Sequence, residues 1–231
     1  MDFKHSLLIA LFLSTPVMAE LEEIVVTAQM SGSYYDMPAV TLKKKADFLV
    51  QSIRLVNDSR SPELRKSEII DTIRGLIESS KSVEGIALSY GDGFLTPVNL
   101  NDDSLQIIED NKRVDTSYVN IFAKVALKDT RSAKKQISSL RKFISNAKLV
   151  GRTEIIPAGD IGLSIIGPEQ YRYEILGKIA SENRKIADSL GESCEFSLKG
   201  LQNRVEWERS GVDELTLYIG YESETTCDKG L

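Results

Sequence analysis

The sequence predicts an α+β fold, with repeated strand-helix-strand units, helices packed on one face of a sheet, and a C-terminal antiparallel strand set. Three observations lead there. Val119, Ile121, Ala123, Val125 and Leu127 recur at every second position, the period of a half-buried strand. Ile69, Ile70, Ile73, Leu76 and Ile77 form one helical stripe, and Ala133, Ile137, Leu140, Ile144 and Ala147 form another. Near the C-terminus, Cys194–Leu198, Arg204–Glu208 and Glu214–Tyr221 are strand-length runs, with Ser210-Gly211 turning between the last two.

Taken in order, the chain opens like a secretory leader. Lys4 and His5 precede the apolar run Leu7–Leu13, which Ser14, Thr15 and Pro16 interrupt before Val17-Met18-Ala19. A bilayer of about 30 Å needs about 20 apolar residues, so this run is too short to be an anchor. Cleavage is expected after Ala19, which makes 1–19 a signal peptide and puts the protein in the periplasm of a Gram-negative bacterium. Absence of a cysteine directly after Ala19 argues against a lipoprotein, and no later stretch is apolar enough to span a membrane. Residues 20–45 read as an extended arm punctuated by Ser31-Gly32-Ser33 and Pro38. A single α+β domain is expected over 46–225, with 226–231 as a tail.

Within that domain Asp47–Val56 reads as a strand, and Ser61 with Pro62 as the cap and first residue of a helix that Gly85 ends. Ile86–Tyr90 is a strand leading to the turn Gly91-Asp92-Gly93, and 92–116 is a long polar loop. After the strand at 119–127 come the second helix, closed by Gly151, and strands at Thr153–Ile156 and Ile161–Ile166. Asp58-Ser59-Arg60-Ser61 and Asp129-Thr130-Arg131-Ser132 both stand between strand and helix. They suggest two βαβ-type repeats, 46–91 and 117–166, although two helices would need two such caps without any duplication. A third helix is expected from Pro168 to Leu190, with Tyr171, Ile175, Ile179, Ile186 and Leu190 facing inward and Gly191 as its stop.

Composition restricts the chemistry. The chain has one histidine, His5, inside the leader, so neither a His-dependent triad nor an imidazole metal site is expected beyond it. A formal net charge of −5 does not suit nucleic acid. No nucleotide-binding loop is present, since Gly91-Asp92-Gly93 lacks the rest of such a motif. No cofactor, metal or catalytic residue is therefore expected. The one carboxylate pair worth weighing is Glu206 and Glu208, which share a strand face beside Trp207, as a hydrolase would need. Alternation opposite Val205 and Trp207 on a half-exposed strand is the preferred reading of them. Asn101-Asp102-Asp103-Ser104 lacks the ligand spacing of a calcium loop. Tyr34-Tyr35 are candidate contact aromatics, and Trp207 a core one. The two cysteines, Cys194 and Cys227, are an even pair that an oxidising compartment would join in a disulfide, with two separate thiols as the alternative. Three strands in a meander would start them at opposite ends, so pairing requires the chain after Tyr221 to fold back.

Leu21-Glu22-Glu23-Ile24-Val25-Val26-Thr27-Ala28-Gln29 resembles the TonB box of outer-membrane TonB-dependent receptors. In that family the segment adds a strand to the sheet of TonB, and the β-branched run suits such addition. The resemblance implies Glu22, Glu23, Ile24, Val25, Val26, Thr27 and Ala28 as partner-binding residues on an unpaired ribbon. No plug or barrel of that family follows. The element order over 46–225, with Ile179-Ala180, Ile186-Ala187 and Leu190-Gly191 in its last helix, is similar to SIMPL-domain proteins. That implies an exported envelope protein. The expected function is therefore a non-enzymatic interaction protein of the envelope whose partner is a TonB-like periplasmic protein or a second copy of itself. Self-assembling structural protein is the second reading, and carboxylate hydrolase the last.

Overall fold

The computed structural model describes residues 22–26, 37–100, 105–113, 115–128, 131–190 and 194–227. Twelve strands and three α-helices run in the order β1 (Glu23–Val26), β2 (Leu42–Lys45), β3 (Phe48–Asn57), α1 (Pro62–Lys81), β4 (Ile86–Tyr90), β5 (Thr96–Pro97), β6 (Ile108–Glu109), β7 (Ser117–Ala126), α2 (Ala133–Ser145), β8 (Thr153–Ile166), α3 (Arg172–Leu190), β9 (Cys194–Lys199), β10 (Val205–Arg209), β11 (Glu214–Ile219) and β12 (Glu222–Cys227) among the described residues. The fold is α+β, with antiparallel sheets.

The main sheet has the order β1-β8-β3-β7-β4-β5, with β6 on β7. Because β3 and β4 both run antiparallel to β7, they are parallel to each other. The units β3-α1-β4 and β7-α2-β8 therefore interleave, each leaving a gap that a strand of the other fills. This is the split β-α-β arrangement of ferredoxin-like folds. Alternation decides the faces. Leu49, Ile53 and Leu55 of β3, and Val119, Ile121 and Val125 of β7, are buried on the side that holds Ile69, Ile73 and Leu76 of α1 and Leu140 of α2. Ser61 caps α1 as its sequence suggests, its Oγ accepting the Leu64 N–H at 3.2 Å.

Strands β9 to β12 form a long bent hairpin over residues 194–227. Its inner part pairs β10 with β11, Val205 opposite Ile219. Its outer part pairs β9 with β12, from Lys199–Glu222 to Cys194–Cys227. α3 lies against β9 and β11, burying Ile175 and Ile179.

Several expectations change. Of the stretch 20–45 expected as an arm, the described pieces are paired: Glu23–Val26 ladders onto β8 and Leu42–Lys45 onto β11, with Val40 and Leu42 in the core. Branched and apolar side chains that read as loose patches are buried once long-range partners arrive. Lys43 and Lys44 of that strand pair with Glu214 at 3.4 Å and Glu174 at 3.0 Å. The two pieces at 153–156 and 161–166 are one strand, kinked by a bulge where β3 shifts register between Val50 and Ser52. The C-terminal strands are arms of a hairpin rather than a three-strand meander, and 226–227, expected as tail, belong to β12. Helix three starts with a 3-10 turn, Pro168–Tyr171, and its Ile186 and Leu190 are exposed because the sheet beneath them has only two strands.

Ile53, fully buried at the centre of the main sheet, tests this core. Ile53→Ala is expected to cost about 2–5 kcal/mol in urea unfolding. Tyr173→Ala, at a side chain 84% exposed, is expected to stay within about 0.5 kcal/mol of the parent.

Candidate functional site

Glu23 is buried. Its carboxylate pairs with the Lys124 ammonium and accepts the Ser164 hydroxyl at 2.8 Å. The Lys124 ammonium also lies 4.3 Å from the centre of the Phe48 ring. β1 and β7 are separated by β8 and β3, so in a flat sheet these side chains would stand about 14 Å apart at about 4.8 Å per strand. Their contact means the sheet is curled, with the helices outside and the pair on the inner, concave face. The curl carries β1 to the opposite edge: Ile24 bridges Phe94, and Leu95 donates its N–H to the Glu23 carbonyl at 2.8 Å. Gly91 makes the approach possible. At φ +138 it turns the chain so tightly that a Cβ there would sit 1.8 Å from the Phe94 carbonyl oxygen.

The predicted ribbon is thus not free between Glu23 and Val26. The backbone of Ile24–Val26 is already laddered, Glu22 gives its carbonyl to the Gly167 N–H at 2.7 Å, and Thr27 and Ala28 lie outside the described residues. The alternating pattern around Lys124 held the missed signal: a lysine on the inner face of a central strand needs an acid.

A second polar knot joins α1 to β3 and β8. Glu68 accepts from Asn57 Nδ2 at 2.7 Å, Ser59 Oγ at 2.7 Å and the Arg152 backbone N–H at 3.0 Å. These donors, the Arg152 amide foremost, hold its carboxyl below the usual range. Gly151, at φ +58, presses on this carboxylate, and a Cβ there would come 2.0 Å from Glu68 Cδ. Next to it, Arg152 and Asp58 form a two-toothed pair at 2.6 and 2.9 Å, and the Asp58 pKa is lowered chiefly by that bond. Arg65 is buried beside them, donating to Ser117 Oγ at 2.8 Å and the Ser59 carbonyl at 3.0 Å. The knot is satisfied within the chain and fixes the α1 end.

Two clefts flank these elements. A groove of about 800 Å³ lies between Lys66 and Ile70 of α1 and the stretch Leu105–Glu109. A more polar cleft of about 510 Å³ is lined by Asp58, Arg113, Asp115, Arg152 and Glu154. Neither gathers a nucleophile with a base, and among the described residues no cluster of His, Cys, Asp and Glu could hold a metal. Glu206 and Glu208 lie on β10 opposite Tyr218 and Thr216, away from both clefts. Trp207 is half-buried against the core. Tyr34-Tyr35 and Asn101–Ser104 lie outside the described residues.

At the far end of the hairpin, Cys194 and Cys227 form a disulfide between directly opposed strands. No described helix is long and apolar enough to cross a membrane.

No protein-family model matches the chain, and no curated protein matches it in sequence. Among solved structures, one described as a hydrolase from Listeria innocua aligns over 82% of this chain and 95% of its own, at 7% identity and a TM-score of 0.17. An uncharacterized conserved protein from the same organism aligns over the same shares at 8% identity, also at 0.17. Neither likeness bears on fold or activity.

Lys124→Met leaves Glu23 buried without its cation and is expected to cost about 3–5 kcal/mol. Adding Glu23→Gln is expected to recover much of that loss, a coupling that denaturant titration of the double-mutant cycle reads directly. Glu68, with its folded pKa below the unfolded one, contributes stability above the unfolded value and loses it as pH falls through the folded one. The gap in urea midpoint between parent and Glu68→Gln is therefore expected to be present at neutral pH and to close under acid.

Proposed function

We propose that the chain is an exported, non-enzymatic interaction protein of the Gram-negative periplasm, released from its leader after Ala19. The Cys194–Cys227 disulfide carries this reading, because such bonds persist in oxidising compartments and are rare in the cytosol. The charged, apolar and small-residue order of 1–19 agrees with it. The polar knot is spent on holding α1, and the buried pair on closing the sheet, so the charged groups of both clusters have structural work. A TonB-like partner takes up the backbone of Glu23–Val26 only by drawing β1 off β8 and parting Glu23 from Lys124. The open surfaces of the hairpin and α3 are the better places for a partner.

In a Gram-negative host the protein is expected in the fraction released by osmotic shock. Its N-terminal residue there should be Glu20, and its cysteines should resist alkylation until a reductant is added. Retention of the leader, or free thiols in that fraction, would overturn the proposal.

A further inference from the structure

We propose that the outer edge of β12 is a self-association surface, on which a second copy of this chain adds its own β12 antiparallel about a two-fold axis at Thr225. Among the described strands β12 pairs with β9 alone, and all six of its residues are exposed. Its ladder to β9 runs without a register shift, and it contains no proline. Neither a proline nor a bulge blunts this edge, and its charges, Glu222 and Glu224, stand in its first half and leave Thr225–Cys227 uncharged.

Backbone parity sets which groups the edge offers. The Cα atoms of Cys194 and Cys227 are 4.0 Å apart. That is the spacing of a pair that exchanges no hydrogen bonds, about 4.5 Å against about 5.5 Å for a bonded pair. Cys227 therefore turns its N–H and C=O away from β9, and so, at every second residue, do Thr225 and Ser223. An added strand has to meet these residues with outward groups of its own. Centred on Ser223 or Glu224, a two-fold pairing sets Glu224 opposite a glutamate of the copy. Centred on Thr226 it leaves only Thr225–Cys227 overlapping, and centred on Cys227 only that residue. Centred on Thr225, Ser223–Cys227 overlap, Ser223 exchanges bonds with Cys227, and Glu224 faces a Thr226 hydroxyl.

The backing helix agrees. Asn183 Oδ1 accepts the Ser223 hydroxyl at 3.3 Å, so α3, which packs mainly on β9, stands on the sheet face that carries Ser223. Beyond Asn183 the helix exposes Ile186 by 39% and Leu190 by 53%, two residues one turn apart on one face. In the joined four-stranded sheet the two α3 helices lie on the same face.

The experiment is light scattering and sedimentation of the purified, oxidised protein from micromolar to millimolar concentration, with three variants. The parent mass should rise from monomer to dimer. Thr225→Pro removes an outward N–H without touching the β9 ladder, and should weaken the dimer at least about tenfold. Thr225→Cys should give a covalent dimer on non-reducing gels, and Thr226→Cys, which does not meet itself, should not. The inference rests on the proposed function only in taking the oxidised protein as the working state. A parent that stays monomeric while oxidised, or a Thr225→Cys that cross-links no better than Thr226→Cys, overturns it and leaves the export reading untouched. Free thiols in the periplasm would overturn that reading and leave the dimer of oxidised protein standing.

Discussion

The contact between Glu23 and Lys124 is the constraint on which the main sheet depends. Two charges removed from water are tolerated only when each meets the other and the remaining lone pairs find donors. Ser164 supplies one donor to Glu23, and the Phe48 ring shields the ammonium. For this to happen the sheet must bend until β1 reaches across two strands. The small residues Gly162 and Ser164 on the intervening inner face of β8 leave room for it. Closure at Ile24 and Phe94 follows from the same bend. An apolar pair in place of the ions could stabilise the fold equally, but would not fix the register of β1: a slip by one residue would turn Glu23 outward and strand Lys124.

Much of the architecture was legible in the sequence because it rests on local periodicity. The strand around Ile121 and Ile53, the stripe of α1 and the Ser61 cap are properties of short windows. What escaped was set by partners far along the chain. Nothing near Leu42 announces that β11 will accept it, and Glu23 looks like any acid beside a β-branched run until Lys124 is found 101 residues later. Ile186 and Leu190 continue the helical stripe correctly, yet the sheet beneath them narrows to two strands, and periodicity cannot report the width of the surface a helix meets.

The same distinction separates the two candidate sites. The resemblance at Leu21–Gln29 pointed to an open ribbon, and the intramolecular partner, β8, was invisible at that distance. The two cysteines were visible, but their pairing depended on the hairpin bending at Gly200 and Gly220 so that the chain returns past Tyr221. There the Asn203 amide donates to the Gly220 carbonyl at 2.8 Å and ties the bend. Sequence showed which residues were available, and topology decided which of them met.

The placement of β1 also bears on how the chain can acquire its shape. A polypeptide is made from its N-terminus, so Glu23 arrives long before Ser164, its partner 141 residues away. The keystone must wait in water, charged and unpaired, while nearly the whole sheet is delivered. Closing so large a loop is entropically slow, so the sheet is sealed at β1 only after its other strands have been delivered.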